Sequence, residues 1–159
     1  MAEKKYTPMM QHYLKMKEEN PDSILFYRLG DFYEMFFEDA KLVSQELDLV
    51  LTGRSAGVEE KVPMCGIPFH AANSYIQRLV KKGYKVAICE QLEDPSSAKG
   101  LVDRGIIKII TPGTYMDATM DAKSTNYMAS CDVSSFEITV IYCELSTGEL
   151  KYQTLQRSL

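Results

Sequence analysis

No apolar run in this chain approaches the roughly twenty residues that span a bilayer. The opening Met1-Ala2-Glu3-Lys4-Lys5-Tyr6 lacks the apolar core of a secretion signal. A membrane span and a secretory leader are therefore not expected, and the expected setting is cytoplasmic. Histidine is scarce: only His12 and His70 are present, and no Ser/His/Asp or Cys/His arrangement for nucleophilic catalysis can be read. Cys65, Cys89, Cys131 and Cys143 are widely spaced and form no Cys-x-x-Cys pair, so neither zinc nor a disulfide framework is indicated. Buried thiols in a reducing compartment are the expectation. The glycine-bounded stretch Gly100-Leu101-Val102-Asp103-Arg104-Gly105 is followed by Ile106, not by Lys-Ser or Lys-Thr. It lacks the lysine and hydroxyl that a phosphate-binding loop needs. There are no internal repeats and no low-complexity tract.

What remains is an ordinary globular composition, 45% hydrophobic and 25% charged over 159 residues. That length allows one domain with a core, or one domain and part of a second. Net charge is −4, which on its face argues against nucleic acid. Its distribution is uneven. Residues 18–48 hold nine acids against Arg28 and Lys41, giving −7, and residues 53–112 hold nine bases against six acids, giving +3. A modest basic face, suited to weak phosphate contact, is compatible with that balance.

Thr7-Pro8 reads as an N-cap and a first-position proline, opening a helix that stops at Asn20-Pro21. Ile24 to Leu29 is a short apolar run, expected as a buried strand. Gly30 turns the chain. A second helix is expected from about Phe32 to Glu46, with Tyr33, Phe36, Phe37, Ala40, Val43 and Leu47 on its core face. Leu49 to Thr52 reads as a strand, Gly53 to Pro63 as a mobile polar loop, and Met64 to Pro68 as extended. Ala71 to Lys82 is expected as a helix with Gly83 after its end. Lys85 to Gln91 and Ile106 to Thr111 read as strands, and Asp94 to Gly100 as a loop. The expected fold is α/β, a mixed sheet flanked by helices, over residues 1–112. A linker over 113–127 should precede an incomplete second domain over 128–159. There Glu137–Cys143 and Leu150–Leu155 form a hairpin around Ser146-Thr147-Gly148.

Phe32 and Glu34, two apart after the Gly30 turn, admit two readings. Asp31 with Glu34 three residues later fits a capping box, with Phe32 packed on the sheet. Yet the helical core stripe is already filled, with Phe32 at its edge and Glu34 well off it. Both can then face outward as an aromatic wedge beside a carboxylate. On the residues alone both readings stay open.

The segment Phe26 to Phe36 resembles the Phe-x-Glu mismatch reader of the MutS family. Other blocks resemble that family in the same order: Thr7-Pro8-Met9-Met10-Gln11, Gly66-Ile67-Pro68-Phe69-His70, Ala87-Ile88-Cys89-Glu90-Gln91, Asp94-Pro95 and Thr111-Pro112-Gly113-Thr114. The likeness is dense over residues 7–114. Leu29 and Phe69 stand where Met and Tyr are often found, with size and apolarity kept. Relatives without the Phe-x-Glu pair do not read mispairs in this way.

The resemblance implies a mismatch-recognition domain over 1–112 and the start of a connector domain after it. It implies that Phe32 enters the minor groove and stacks on a mispaired base, and that Glu34 hydrogen-bonds that base. Arg54 and His70 are further candidates for contacts to the DNA backbone or groove edge. Implied partners are duplex DNA with mispairs or small loops, a second MutS subunit held through regions outside this chain, and downstream repair proteins. The implied setting is the bacterial cytosol or nucleoid. No cofactor is implied for this chain, because ATP and Mg²⁺ belong to an ATPase of the full-length family that lies elsewhere. Two rivals need weighing. Glu34, Glu38 and Asp39 suggest a metal nuclease, although Glu34 and Glu38 lie one helical turn apart like a solvated face. Lys81-Lys82-Gly83-Tyr84-Lys85 suggests a docking patch for a protein partner.

Overall fold

Thr7 and Pro8 open the first helix as their chemistry dictates. The Met10 N–H donates to the Thr7 hydroxyl at 3.4 Å, and proline fills a position whose N–H has no partner within the helix. This helix, α1 (Pro8–Glu19), buries Met10, Tyr13 and Met16. The computed structural model describes residues 6–93, 102–113, 127–145 and 147–156. The expected loop at 94–100, most of the expected linker, Gly100 and Leu101 of the glycine-bounded stretch, and Ser146 lie outside the described residues.

After α1 come β1 (Ser23–Leu29), β2 (Phe32–Phe36), α2 (Phe37–Leu47), β3 (Thr52–Arg54) and β4 (Val62–Pro68). A 3₁₀ turn (Phe69–Ala71) leads into α3 (Ala72–Lys81), followed by β5 (Lys85–Gln91) and β6 (Arg104–Ile110). The strands form one six-stranded sheet in the order β3-β4-β2-β1-β5-β6. Only β1 and β5 run parallel; the other neighbours are antiparallel. The expected mixed α/β sheet is what forms.

Two hydrophobic layers follow from strand alternation. One face carries Leu25, Tyr27, Phe36, Val62, Ala87 and Cys89, packed with Met10, Tyr13 and Met16 of α1. Tyr13 sits edge-on to Phe36 at 4.8 Å and to Tyr27 at 5.5 Å. The other face buries Phe26, Met35, Cys65, Ile67, Val86 and Ile88. There α2 packs on β4 and α3 on β5. Asp39 is buried where the layers meet, accepting from the Leu25 N–H at 2.9 Å and pairing with Lys17 at 2.9 Å.

Several local expectations are corrected. Residues 32–36 are strand, and the helix begins only at Phe37. Asp31 caps nothing: the N-cap is Phe36, with no side-chain bond, so the capping box does not form. Phe37 holds φ at 53°, a left-handed value rare for an aromatic residue, at the junction of strand and helix. The ladder at the expected Leu49–Thr52 strand starts only at Thr52 and runs through Arg54, inside the stretch read as a loop. Gly83, just past α3, takes φ 94°, the left-handed value that favours glycine there. Burial of the thiols is divided: Cys65 and Cys89 are buried, Cys143 is half-buried and Cys131 is exposed.

By contact the chain divides into two units, Met1–Pro112 and Gly113–Leu159. The second holds a three-stranded antiparallel sheet, β7 (Tyr127–Val133), β8 (Glu137–Glu144) and β9 (Leu150–Gln156). The β8–β9 hairpin was expected. The β7 strand was not, because Tyr-Met-Ala-Ser-Cys-Asp-Val has no clean alternation and its residues are all exposed.

Candidate nucleic-acid interface

Gly30 is the first central residue of a two-residue hairpin turn between β1 and β2, with Leu29 paired to Phe32. Its φ of 57° has the sign a type II′ turn needs at that position. The turn sets the register of β2. Tyr33 and Met35 point into the core, while Phe32, Glu34 and Phe36 share the opposite face. Phe36 lies under α1 and is 1% exposed, whereas α1 leaves Phe32 uncovered at 47%. An aromatic ring and a carboxylate thus stand side by side on a strand held on both flanks. Phe32 is opposite Leu29 and Pro68, and Glu34 is opposite Tyr27 and Gly66. Phe32 faces outward while Glu34 is mostly covered, and period-two alternation, not the edge of a helix, puts the two on one face.

Gly66 leaves room beside both side chains. A Cβ there would lie 3.5 Å from Glu34 Cγ and 3.9 Å from Phe32 Cδ1. The result is an open recess of about 480 Å³ lined by Phe32, Glu34, Val50, Thr52, Met64 and Gly66. Its rim includes Val50, 79% exposed, next to the half-exposed Leu51. Sequence reading placed both in a strand and missed them as surface. An apolar pair before a three-residue edge strand is the signal that was available.

Arg54 stands at the end of β3, and its guanidinium donates to the Glu34 carboxylate in an ion pair across the sheet. The Glu34 side chain is only 14% exposed and that of Arg54 is 37%. Three of the four candidate residues therefore converge. His70 is placed elsewhere, on the exposed 3₁₀ turn after β4, where its ring meets Phe69 at 5.8 Å. That turn is tied to the hairpin by the Phe69 N–H, which donates to the Asp31 carbonyl at 2.9 Å.

Arg28 braces the whole corner, a role not read from the sequence. Its guanidinium lies 3.6 Å from the Phe69 ring centroid, its Nε donates to the Gly30 carbonyl at 2.5 Å, and it pairs with Glu90 at 3.3 Å. The Tyr33 hydroxyl donates to the same Glu90 carboxylate. Burial first, and then that bond, push the Tyr33 phenol up to about 12. An arginine inside an otherwise buried strand is the clue that marked it.

The rival readings lose their geometry. Glu34 pairs with Arg54, Glu38 with Lys41 at 2.7 Å, and Asp39 with Lys17, so the three carboxylates do not converge. Among the described residues no cluster of His, Cys, Asp or Glu is arranged to hold a metal ion. In the lysine patch, Lys82 pairs with Glu46 at 2.6 Å and Tyr84 donates to Glu46 at 2.9 Å. The expected basic face is also thinned. Arg104 is buried and donates to the Arg28 and Val102 carbonyls, and Arg54 is committed to Glu34. Among the described residues no helix is long and apolar enough to cross a membrane.

Comparison with known proteins points to one family. The family described as MutS domain I matches residues 7–119. The chain is 62% identical over 144 residues to the DNA mismatch repair protein MutS of Clostridium botulinum (strain Loch Maree / Type A3), covering 90% of this chain and 16% of that protein. It is 58% identical over 146 residues to the protein of the same name from Clostridium tetani (strain Massachusetts / E88), covering 91% of this chain and 17% of that one. The chain thus spans about a sixth of the length of these curated relatives.

Proposed function

Because this chain belongs to the MutS family of DNA mismatch repair proteins and carries its domain I, we propose that it binds mispaired DNA with Phe32 as a minor-groove wedge and Glu34 as the group that tests the mispaired base. The observation that carries the reading is the half-exposed Phe32 beside the Glu34 carboxylate, on a sheet face that α1 leaves open.

The physics suits the task. Different mispairs offer different base edges, and the minor groove carries only a degenerate pattern. What mispairs and small loops share is easier deformation. Wedging an apolar side chain between base steps costs a few kcal/mol, and less where pairing is already poor. Stacking on an aromatic ring returns about 1–3 kcal/mol per base. The difference between matched and mismatched duplex is read as deformation energy. Glu34 sharpens it, because a carboxylate near phosphates is disfavoured unless a base offers it an N–H, and a paired base has those groups occupied.

The same reading assigns residues 1–112 to mismatch recognition, 113–127 to a linker and 128–159 to the start of the connector domain. It places the ATPase, with its ATP and Mg²⁺, outside this chain, so the chain itself is not an enzyme. A second subunit and downstream repair proteins are the partners, and the cytoplasm is the setting. Arg54 and His70 complete the proposed DNA contacts.

The test is fluorescence anisotropy at low salt on a duplex with one G·T mispair and on its matched twin, for wild type and Phe32→Ala. It is run on this chain and on a full-length MutS carrying it as domain I. Preference for the mispair that vanishes in the variant is expected. Preference unaltered by Phe32→Ala in the full-length protein would refute the wedge.

A further inference from the structure

We propose that Arg54 determines specificity: its guanidinium competes with the base for the Glu34 carboxylate, staying on Glu34 against matched DNA and moving to a phosphate when a mispaired base takes Glu34 over. This rests on the role proposed for Glu34 and goes beyond it, since Arg54 then acts through partner exchange and not as a fixed backbone contact.

The two halves of the pair are unequally held. Glu34 projects from an inner strand, between Tyr27 of β1 and Gly66 of β4. Arg54 ends a three-residue strand at the sheet edge, and the polar segment 55–61 follows it. Its side chain is the longer and the more exposed of the two. If the pair opens, Arg54 is the part that moves. The recess beside Glu34 is open, so a base edge can approach the carboxylate over Gly66.

Closed, Arg54 neutralises the Glu34 carboxylate, which meets the phosphates unpaired only if the pair opens. Against matched DNA the base donors are occupied, so opening would strip Glu34 of its partner and leave nothing in return. Against a mispair, a free base N–H replaces the guanidinium. The forked guanidinium of Arg54 then fits a phosphate oxygen pair. One ion pair exists before the exchange, Arg54 with Glu34. After it Arg54 pairs with a phosphate and Glu34 accepts from a base N–H, so only on mismatched DNA does Arg54 reach the backbone.

Salt dependence reads this directly, because each phosphate neutralised adds about 0.9 to the slope of log K against log salt on duplex DNA. The experiment titrates G·T and matched duplexes across a salt series, with this chain and with full-length MutS carrying it. Variants are Arg54→Met, Glu34→Gln and Phe32→Ala. In the wild type the G·T slope should exceed the matched slope by about one contact. Arg54→Met should lower the G·T slope alone. Glu34→Gln keeps Arg54 and frees it on every duplex, so it should raise the matched slope to the G·T value. That arm reports even if Arg54→Met folds poorly. Equal wild-type slopes, or equal losses on both duplexes in Arg54→Met, overturn the exchange. If the G·T preference is still present and still abolished by Phe32→Ala, the inference about Arg54 fails alone. If wild type shows no preference, it falls together with the proposed function.

Discussion

Phe32→Ala should weaken mismatch binding while costing folding far less than Phe36→Ala, and the structure sets the magnitudes. Burying a large apolar side chain completely is worth about 1.5–3 kcal/mol. Phe32 is 47% exposed, so its buried half contributes about 0.8–1.6 kcal/mol. Its loss opens onto an existing surface recess, so no closed cavity is left behind. Phe36, two residues on and on the same face, is the internal control. It is 1% exposed and packed edge-on to Tyr13 at 4.8 Å. Phe36→Ala should cost about 3–5 kcal/mol, since transfer and cavity costs add. On mismatched DNA, Phe32→Ala forfeits about 1–3 kcal/mol of stacking. That is about 5- to 140-fold in affinity, at 1.4 kcal/mol for each factor of ten. On matched DNA, where the cost of wedging offsets stacking, the change should be small. Urea unfolding of the two alanine variants, set beside anisotropy on both duplexes, tests the whole argument. If Phe32→Ala destabilises the protein as much as Phe36→Ala does, Phe32 is a core residue and the wedge is wrong.

Other expected outcomes follow from the same structure. Asp39→Ala leaves the buried Leu25 N–H and Lys17 without their carboxylate; it should lose about 3 kcal/mol in urea unfolding, as when one partner of a buried ion pair is removed. Arg28→Lys keeps the charge but not the flat guanidinium stacked on Phe69; a loss of about 1 kcal/mol is expected by the same assay. Burial raises the thiols of Cys65 to about 11 and Cys89 to about 12, and the phenols of Tyr27 and Tyr33 to about 12. Unfolded thiols and phenols ionise near 8.5 and 10. The folded state then binds more protons than the unfolded one, so this stabilisation is complete below about pH 8.5 and is lost as pH rises towards 12. The urea midpoint should fall steadily between those limits, and a flat profile would refute the burial of these groups. In a native thiol-labelling time course at pH 8, exposed Cys131 should react at once, and Cys65 and Cys89 only on unfolding.

Local chemistry was enough to determine much of this protein. Thr7-Pro8 could only open a helix, the Ile24–Leu29 run formed a buried strand, and Lys85–Gln91 formed one with the expected bounds. The hairpin of β8 and β9 was legible from the Ser146-Thr147-Gly148 turn signal between its two runs. The composition of the pair Phe32 and Glu34, and the order of the blocks around it, pointed to the MutS family before any fold was known. Residues 32–36 were a different matter. Tyr33, Phe36 and Phe37 satisfy helical spacing, and Asp31 with Glu34 imitates a capping box, so helix and strand are close in local energy. Ladder bonds to β4, about thirty residues later, settle it, and local propensity cannot register a partner that distant. β7 shows the same limit, since it becomes a strand by pairing with β8 and not through any pattern of its own. The pair of Glu34 with Arg54 is the furthest from sequence: two residues twenty apart meet only because β4 folds between their strands, and that meeting is decided by sheet order, not by the residues themselves.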